Sequence, residues 1–249
     1  MGPETLSSPV FCAIDTVSLD AAMGLATSVL DIVGGLKLGL EFYSAHGPEG
    51  VRRVAGLGMP VFLDMKLHDI PNTVAGAIRA LVPLQPAFVT LHASGGRAML
   101  EEAAAAARET AEELQVPRPR LLGVTVLTSL DEDDLRDVGQ DPEPHHQVDR
   151  LATLAMEANL DGVVCSSHEI EHLRRRFGPH FLLVVPGIRP SWAGSDDQKR
   201  VMTPAEAMAK GADVLVIGRP ITRATDPSAA ARQVAYELTE GRCGPANRP

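Results

Sequence analysis

Eight apolar segments rich in β-branched residues recur along the chain, and segments of helix-forming composition separate them. Nearly continuous hydrophobic strands that alternate with helices indicate a parallel sheet covered by those helices. Eight strands in about 250 residues predict a single α/β domain, the (β/α)8 TIM barrel, over residues 1–249 with frayed ends at about 1–9 and 241–249. The predicted strands are Val10–Ile14, Ile32–Leu38, Val61–Asp64, Ala87–Leu91, Leu121–Leu127, Gly162–Cys165, Phe181–Val185 and Asp213–Ile217.

Capping signals mark several of the intervening helices. Thr203 and Glu206 have the spacing of a capping box, with proline at the first helical position, and Gly211 closes the same predicted helix. A final helix is predicted over Asp226–Leu238, again with proline near its start. The most polar connection, Asp131–Asp149, is predicted to be a loop with a short helical turn.

The composition argues against several classes of protein. The net charge is −9, whereas nucleic acids and anionic membranes are bound largely through Lys and Arg. Cys12, Cys165 and Cys243 form neither a C-x-x-C pair nor a metal-binding spacing, and we interpret them as reduced thiols. No segment reaches the roughly 20 apolar residues of a membrane span, and the amino terminus does not resemble a signal peptide. We therefore expect a soluble, cytoplasmic protein that binds no nucleic acid, membrane or metal.

The segment Val61–Val74 carries more charge than a buried strand usually does. It begins as an apolar run and then places Asp64, Lys66 and Asp69 within six residues, ahead of a Pro-Asn-Thr turn. Side chains two positions apart share one face of a strand, so Asp64 and Lys66 are expected to leave the strand end together. Taken alone, the pair could be a salt bridge at a strand end followed by an ordinary turn.

Charged residues at the ends of other predicted strands favour a functional cluster over an isolated salt bridge. In a TIM barrel, the carboxyl ends of the strands carry the active site. Adjacent strands lie about 4.8 Å apart, so Lys37, Asp64 and Lys66 are predicted to form an array of alternating charge. We interpret His68 and His92, near the ends of the third and fourth strands, as hydrogen-bonded structural residues rather than metal ligands or general bases.

The ends of the last two strands have the composition of a phosphate site. Glycines permit close approach of the backbone and guanidinium groups make bidentate contacts, and TIM barrels commonly bind phosphate in these two loops. The polar segment Ser191–Arg200 suits a lid that orders over an anion, the alternative being a solvated loop. Arginines at strand ends can also form plain surface ion pairs. The candidate phosphate residues are Gly187, Arg189, Gly218 and Arg219.

Asp64–Val74, Asp-Met-Lys-Leu-His-Asp-Ile-Pro-Asn-Thr-Val, resembles the signature of the orotidine 5′-phosphate decarboxylase family, bacterial type. Asp-x-Lys-x-x-Asp alone is shared with sugar-phosphate relatives, but the His-Asp-Ile-Pro-Asn-Thr continuation and the segment Asp197–Arg200 are specific. The resemblance runs in order from about residue 10 to residue 235. Further matching segments are Ala13–Asp15, Leu36–Gly39, Val126–Ser129, Pro186–Pro190, Asp196–Arg200 and Val216–Thr222.

The resemblance implies decarboxylation of orotidine 5′-phosphate to UMP and CO2 in de novo pyrimidine biosynthesis, with no cofactor, metal or covalent adduct. It implies that Lys66 donates a proton to C6 of the pyrimidine and that Asp64 lies beside the departing carboxylate. Asp69 and Lys37 complete the catalytic set.

The resemblance also implies a homodimer with shared active sites and a set of substrate contacts. The residues that reach into the partner's site are then Asp69, Ile70 and Thr73. Asp15 and Lys37 hold the ribose hydroxyls, while Thr128 and Gln198 contact the pyrimidine side and the lid. The contacts to the 5′-phosphate are Arg189, Gly218 and Arg219.

Elementary chemistry fits these roles. Loss of CO2 from C6 leaves an electron pair orthogonal to the π system of the ring, so the protein has to stabilise the charge. Lys66, clamped between Asp64 and Asp69, can do so and then transfer a proton. Whether Asp64 also strains the bound substrate is left open. Two other functions stay open: a Mg²⁺-dependent decarboxylase or aldolase of the same superfamily acting on a keto-sugar phosphate, and a non-catalytic sensor of nucleotide phosphates.

Overall fold

The computed structural model describes residues 8–193 and 202–240. Across these residues eight strands, β1 to β8, form a closed parallel barrel in which the strand order follows the sequence. This arrangement confirms the predicted (β/α)8 TIM barrel. The predicted lid from residue 194 onward, including Gln198, and also Cys243 lie outside the described residues.

Each predicted strand corresponds to an observed strand, with differences at the ends. β3 continues three residues beyond the predicted end at Asp64, and β5 ends three residues before the predicted end at Leu127. The strands are β1 Val10–Ile14, β2 Gly35–Gly39, β3 Val61–Leu67, β4 Phe88–His92, β5 Arg120–Val124, β6 Gly162–Val164, β7 Leu182–Pro186 and β8 Val214–Ile217.

Helices follow the strands along the described part of the chain. None of these helices is long and apolar enough to span a membrane. Short 3-10 turns at Val82–Leu84 and Ala93–Gly95 complete the elements. The helices are α1 Leu19–Val29, α2 Leu40–Ala55, α3 Pro71–Leu81, α4 Arg97–Leu114, α5 Glu132–Asp137, α6 Pro144–Glu157, α7 Ile170–Phe177, α8 Pro204–Ala209, α9 Arg219–Thr222 and α10 Pro227–Glu240.

The predicted capping box of α8 is confirmed. The Thr203 hydroxyl accepts a hydrogen bond from the backbone N–H of Glu206, and the Glu206 carboxylate accepts one from the backbone N–H of Thr203. Gly211 follows the helix with a φ of 105°, a conformation that favours glycine. α10 begins at Pro227, as predicted, and the Asp226 carboxylate accepts a hydrogen bond from the backbone of its first turn at 3.0 Å.

The prediction for Asp131–Asp149 was partly wrong. The short helical turn is α5, which begins with a capping box at Asp131. The second half of the segment is not a loop, because α6 begins at Pro144 and continues for 14 residues. Proline at the first helical position has a favourable φ and lacks an N–H that would have no partner there. The helix is stabilised by an apolar face whose buried residues are Val148, Leu151, Ala152 and Ala155.

The chain divides into two compact units, which we call unit 1 and unit 2. Unit 1 consists of Met1–Pro60 and Val185–Pro249, and unit 2 consists of Val61–Val184. The organisation as a single domain over residues 1–249 stays a prediction.

In unit 1, β1 pairs in parallel with both β2 and β8. Gly35 of β2 leaves space for an aromatic ring, because a Cβ at that position would lie 2.3 Å from the ring of Phe11. The backbone N–H of Leu215 donates to the carbonyl of Pro9 at 2.8 Å, so the chain is hydrogen-bonded into the sheet just before β1. These contacts fix the register that brings Lys37 of β2 opposite Ala13 of β1.

In unit 2, neighbouring strands from β3 to β7 pair in parallel. The rings of Phe62 and Phe88 pack edge to face with centroids 5.6 Å apart, which anchors β3 against β4. α4 covers the core with an apolar face of helical periodicity. Its buried residues are Met99, Leu100, Ala103, Ala106, Ala107 and Ala111.

Candidate active site

The carboxyl end of β3 is irregular, and this irregularity sets the backbone position of Lys66. β3 pairs Leu63 with Val89 and then Leu67 with Leu91, so β3 advances four residues while β4 advances two. A bulge of this kind bends the strand and redirects its side chains. Lys66 has a φ of 49°, in the left-handed region that residues with a Cβ seldom adopt. The prediction that side chains alternate regularly between the two faces is therefore wrong for this end of the strand.

Asp64 and Lys66 nevertheless form an ion pair. The Lys66 Nζ lies 2.8 Å from the Asp64 Oδ2, and the side chains are 29% and 14% exposed, so water screens the pair only in part. The hydroxyl of Thr90, a fully buried residue of β4, donates to the Asp64 Oδ1 at 2.9 Å. The same hydroxyl accepts from the backbone N–H of Lys66 at 2.9 Å. Sequence reasoning missed Thr90, whose only signal is one hydroxyl within an apolar strand.

Two histidines lie beside this pair in unit 2. The ring centroids of His68 and His92 are 5.5 Å apart. The pKa of His92 lies below its usual value, chiefly because burial disfavours the charged ring and also because electrostatic repulsion from His68 and Lys66 acts in the same direction, while Asp64 opposes the shift. A neutral His92 at physiological pH adds no positive charge next to the ammonium group. The interpretation of the two histidines as structural residues stays a prediction.

Lys37 and Asp15 form a second ion pair, at the carboxyl ends of β2 and β1 in unit 1. The Lys37 Nζ lies 3.3 Å from the Asp15 Oδ1, and the lysine side chain is 11% exposed whereas that of the aspartate is 57% exposed. A Cβ on Gly39 would lie 3.1 Å from the Lys37 Nζ. Glycine at this position therefore leaves room for the buried ammonium group. The continuous array of Lys37, Asp64 and Lys66 stays a prediction.

Cys12, on β1, is a buried thiol rather than a nucleophile. Burial, followed by the negative charge of Asp15, raises the pKa of the thiol to about 12, although Lys37 acts in the opposite direction. The thiolate is the reactive form of cysteine, and a pKa this high leaves almost none of it at neutral pH. The residue acts as a small apolar side chain of the barrel core.

The four candidate phosphate residues all lie in unit 1. Gly187, with a φ of 75°, follows β7, and Gly218 precedes α9. The Arg189 side chain is buried, and its backbone N–H donates to the carbonyl of Met202 at 3.2 Å. Arg219 is the first residue of α9 and is exposed. Their contact with a phosphate stays a prediction.

Asp69 and Ile70, in the loop after β3, and Thr73, in the first turn of α3, lie on the surface of unit 2. The Asp69 Oδ1 accepts from the backbone N–H of Ile70 at 2.7 Å, and Pro71 then begins α3. Ile70 is 66% exposed, which is unusual for a large apolar side chain. No ion pair joins Asp69 to Lys66 among the described residues. The predicted clamp of Lys66 between two carboxylates is therefore not formed within one chain.

Thr128, predicted to contact the pyrimidine, is an exposed residue in the loop that follows β5. Over residues 8–193 and 202–240, no three His, Cys, Asp or Glu side chains come close enough together to hold a metal ion.

A cavity of about 750 Å³ lies elsewhere in unit 2, between α4, α6 and α7. Its three arginines each pair with a carboxylate: Arg97 with Glu157, Arg150 with Asp141, and Arg176 with Asp149. The positive charge of these guanidinium groups is therefore neutralised by the protein itself. The cavity lining comprises Ser94, Arg97, Gln140, His146, Gln147, Asp149, Arg150, Leu151, Thr153, Leu154, Glu157 and Arg176.

Comparison with known proteins identifies the family. Residues 8–234 match the model of the Orotidine 5′-phosphate decarboxylase / HUMPS family. Two proteins named orotidine 5′-phosphate decarboxylase, from Sphingopyxis alaskensis and Rhodospirillum rubrum, are each 56% identical to this chain. Each alignment covers 94% of this chain, and the two cover 100% and 96% of the respective relatives. A crystal structure of orotidine 5′-phosphate decarboxylase from Lactobacillus acidophilus superposes with a TM-score of 0.81 at 34% identity, covering 93% of this chain and 99% of that one. The chain therefore belongs to the orotidine 5′-phosphate decarboxylase / HUMPS family.

Proposed function

We propose that this protein is an orotidine 5′-phosphate decarboxylase, a carboxy-lyase that forms UMP and CO2 in de novo pyrimidine biosynthesis. The names of relatives that are 56% identical over nearly the whole chain support this function. The observation that carries it is the ion pair at the end of β3, in which the Lys66 Nζ is held 2.8 Å from the Asp64 Oδ2. A partly shielded ammonium group with a fixed position is what the reaction requires.

The proposed chemistry needs no cofactor, metal or covalent adduct. When the bond between C6 and the carboxylate breaks, CO2 leaves and the electron pair stays on C6 in an orbital orthogonal to the π system. A positive charge fixed before the reaction stabilises this carbanion without the cost of reorganising solvent. Lys66 supplies that charge and then transfers a proton from Nζ to C6, which leaves a neutral amine that regains a proton from water. Lys66 is thus the proton donor.

The role of Asp64 in this scheme is to hold Lys66. Its Oδ2 binds the ammonium group while its Oδ1 accepts from Thr90, so rotation of the carboxylate is restricted on both sides. Positioning of this kind places the ammonium group before the substrate arrives. Lys37, which is buried and paired with Asp15, completes the charged set of the proposed site together with Asp69 of a second subunit.

Substrate binding is proposed to involve residues remote from C6. Asp15 and Lys37 hold the ribose hydroxyls, Thr128 and Gln198 contact the pyrimidine side and the lid, and Arg189, Gly218 and Arg219 surround the 5′-phosphate. Binding energy from the phosphate can be used to organise the site around the reacting carbon. Changes at the phosphate site are therefore expected to lower turnover as well as affinity.

We further propose that the protein is a cytoplasmic, single-domain enzyme that forms a homodimer with shared active sites. The exposure of Ile70, at 66%, supports a role for the loop after β3 in subunit contact, because burying a large apolar side chain is favourable. Asp69 and Thr73 flank Ile70 and are exposed as well. In this arrangement all three residues reach into the partner's site.

The direct test is Lys66→Ala, assayed by the loss of orotidylate absorbance. We expect turnover to fall by roughly a thousandfold or more, since one residue supplies both the stabilising charge and the proton. UMP binding, measured by calorimetry, should stay close to that of the unchanged protein. Lys210→Ala, at the end of α8, is the matched control and should keep full activity. An unchanged protein that does not consume orotidylate would refute the function, and an active Lys66→Ala variant would remove Lys66 from its role.

A further inference from the structure

Thr90 is a buried polar residue whose hydroxyl contacts both members of the ion pair at the end of β3. It lies in the middle of β4, between Val89 and Leu91, and is 0% exposed. Its hydroxyl lies 2.9 Å from the backbone nitrogen of Lys66 and 2.9 Å from the Oδ1 of Asp64. Both partners thus belong to the ion pair at the end of β3. Lys66 precedes Thr90 by 24 residues and Asp64 precedes it by 26.

The direction of these hydrogen bonds follows from the groups involved. The backbone N–H of Lys66 can only donate, so the Thr90 hydroxyl accepts from it. The hydroxyl then directs its own proton to the Asp64 carboxylate, and the other carboxylate oxygen accepts from the Lys66 ammonium at 2.8 Å. The four groups form a closed ring of hydrogen bonds that begins at the backbone of Lys66 and returns to its side chain. Each bond in such a ring polarises the next.

The ring explains how an unfavourable backbone conformation persists. A lysine with a φ of 49° is strained, and a strained residue keeps its conformation only when its surroundings hold it there. The bulge interrupts the regular pairing of β3 with β4 at this point. The acceptor for the Lys66 N–H is therefore the Thr90 hydroxyl instead of a backbone carbonyl of a regular ladder. A valine of the same shape would leave this N–H and the Asp64 Oδ1 without that partner.

We propose that Thr90 is a positioning residue for the decarboxylation. It holds the Lys66 backbone and the Asp64 carboxylate in the orientation that places the ammonium group at C6. The expected effect of Thr90 on the reaction rate rests on the proposed function. Its expected effect on the conformation of Lys66 and Asp64 does not.

Thr125 is a second buried threonine of unit 2, and its hydroxyl contacts only the backbone. It is also buried, at 4% exposed, and its hydroxyl donates to the backbone carbonyl of Val164 at 2.9 Å. That contact ties the chain after β5 to β6 and involves no charged group. Thr125→Val therefore matches Thr90→Val in burial, shape and loss of a hydroxyl.

The kinetic test compares Thr90→Val, Thr90→Ser and Thr90→Cys with Thr125→Val. For Thr90→Val we expect kcat to fall by about 10- to 100-fold, with KM changed by less than about threefold, because a hydrogen bond to a charged group is lost from the reacting end of the site. Thr90→Ser should recover most of the loss, and Thr90→Cys, a weak hydrogen-bonding group, should lie between them. Thr125→Val should keep the kcat of the unchanged protein. A normal kcat for Thr90→Val, or an equal loss for Thr125→Val, would overturn the proposal.

A crystal structure of the Thr90→Val variant provides a readout that does not depend on activity. We expect Lys66 to leave the left-handed region or its Nζ to move away from the Asp64 carboxylate. If both features stay unchanged, Thr90 is not a positioning residue, whatever the enzyme does. If Thr90→Val does not fold, the order of kcat for the Ser and Cys variants decides, and a Cys variant as active as the Ser variant refutes the role. Absence of decarboxylation by the unchanged protein would refute the proposed function and leave this structural test in force.

Discussion

Asp64→Asn keeps the shape of the side chain and removes its charge, so it measures how far activity depends on the Asp64–Lys66 pair. If the amide oxygen faces Lys66, the amide NH2 faces the Thr90 hydroxyl, which already accepts from the Lys66 backbone. The hydroxyl proton then has no acceptor within the ring. If the amide oxygen faces Thr90 instead, the NH2 group meets the ammonium group and two donors oppose each other. The first orientation leaves the hydroxyl proton without an acceptor, the second loses the hydrogen bond to the ammonium group, and both lose the attraction between opposite charges.

The expected effect can be worked out from the contacts. A hydrogen bond to a charged group contributes about 1.5–3 kcal/mol net, and about 1.4 kcal/mol corresponds to a factor of ten in rate. If this stabilisation positions the ammonium group in the transition state, kcat for Asp64→Asn should fall by about 10- to 150-fold. The side chains of the pair are 14% and 29% exposed, so screening by water favours the lower part of that range.

The assay is the initial rate of orotidylate consumption, with UMP affinity measured separately by calorimetry. Asp161→Asn is the matched control, since Asp161 pairs with Arg118 at 2.6 Å and accepts from the backbone N–H of Leu121 at 2.7 Å. It should lower the melting temperature and leave kcat unchanged, because that ion pair is remote from the reacting groups. A kcat for Asp64→Asn equal to that of the unchanged protein would refute the argument that the carboxylate positions Lys66.

Two further predictions concern the dimer and the phosphate. Equimolar mixing of Asp69→Ala with Lys66→Ala subunits should restore about a quarter of the activity, because half of the randomly formed dimers are mixed and each has one intact shared site; stable mixed dimers without activity would contradict shared sites. Arg219→Ala should weaken UMP binding by about 10- to 100-fold in calorimetry and uridine binding little, because the guanidinium group makes charge-assisted bonds to phosphate. Arg223→Ala, at the exposed end of the same helix, should change neither affinity, and equal losses of UMP and uridine for Arg219→Ala would contradict the assignment.

The barrel could be predicted from the sequence because its strands are hydrophobic on both faces. Strands such as Leu182–Pro186 and Val214–Ile217 are nearly continuous apolar runs, a pattern that separates them clearly from the intervening helices. Strand ends were less certain, since hydrophobicity after β5 continues through Leu127 although pairing stops at Val124. The helix that begins at Pro144 was missed because its polar first turn resembles a loop, and its apolar face starts only at Val148.

The charged residues of the candidate site could be predicted, but their support could not. Asp64 and Lys66 stand out in the sequence as charges in an apolar segment. The bulge that includes them arises from the pairing of β3 with β4, and no sequence pattern indicates it. Thr90 is a common residue in strands, and only the fold brings its hydroxyl to residues 24 and 26 positions earlier in the chain. The absence of an Asp69–Lys66 contact within one chain likewise depends on where the loop after Leu67 turns.

The left-handed backbone at Lys66 has a consequence for attempts to transplant this chemistry into other scaffolds. Copying an aspartate, a lysine two positions later and a facing threonine onto a regular strand would reproduce the side chains without the local geometry that brings them together. A successful graft would have to carry the two additional residues of the irregular strand and the neighbouring strand that supports them. The transferable unit is therefore a pair of strands with a defined mismatch rather than a three-residue motif.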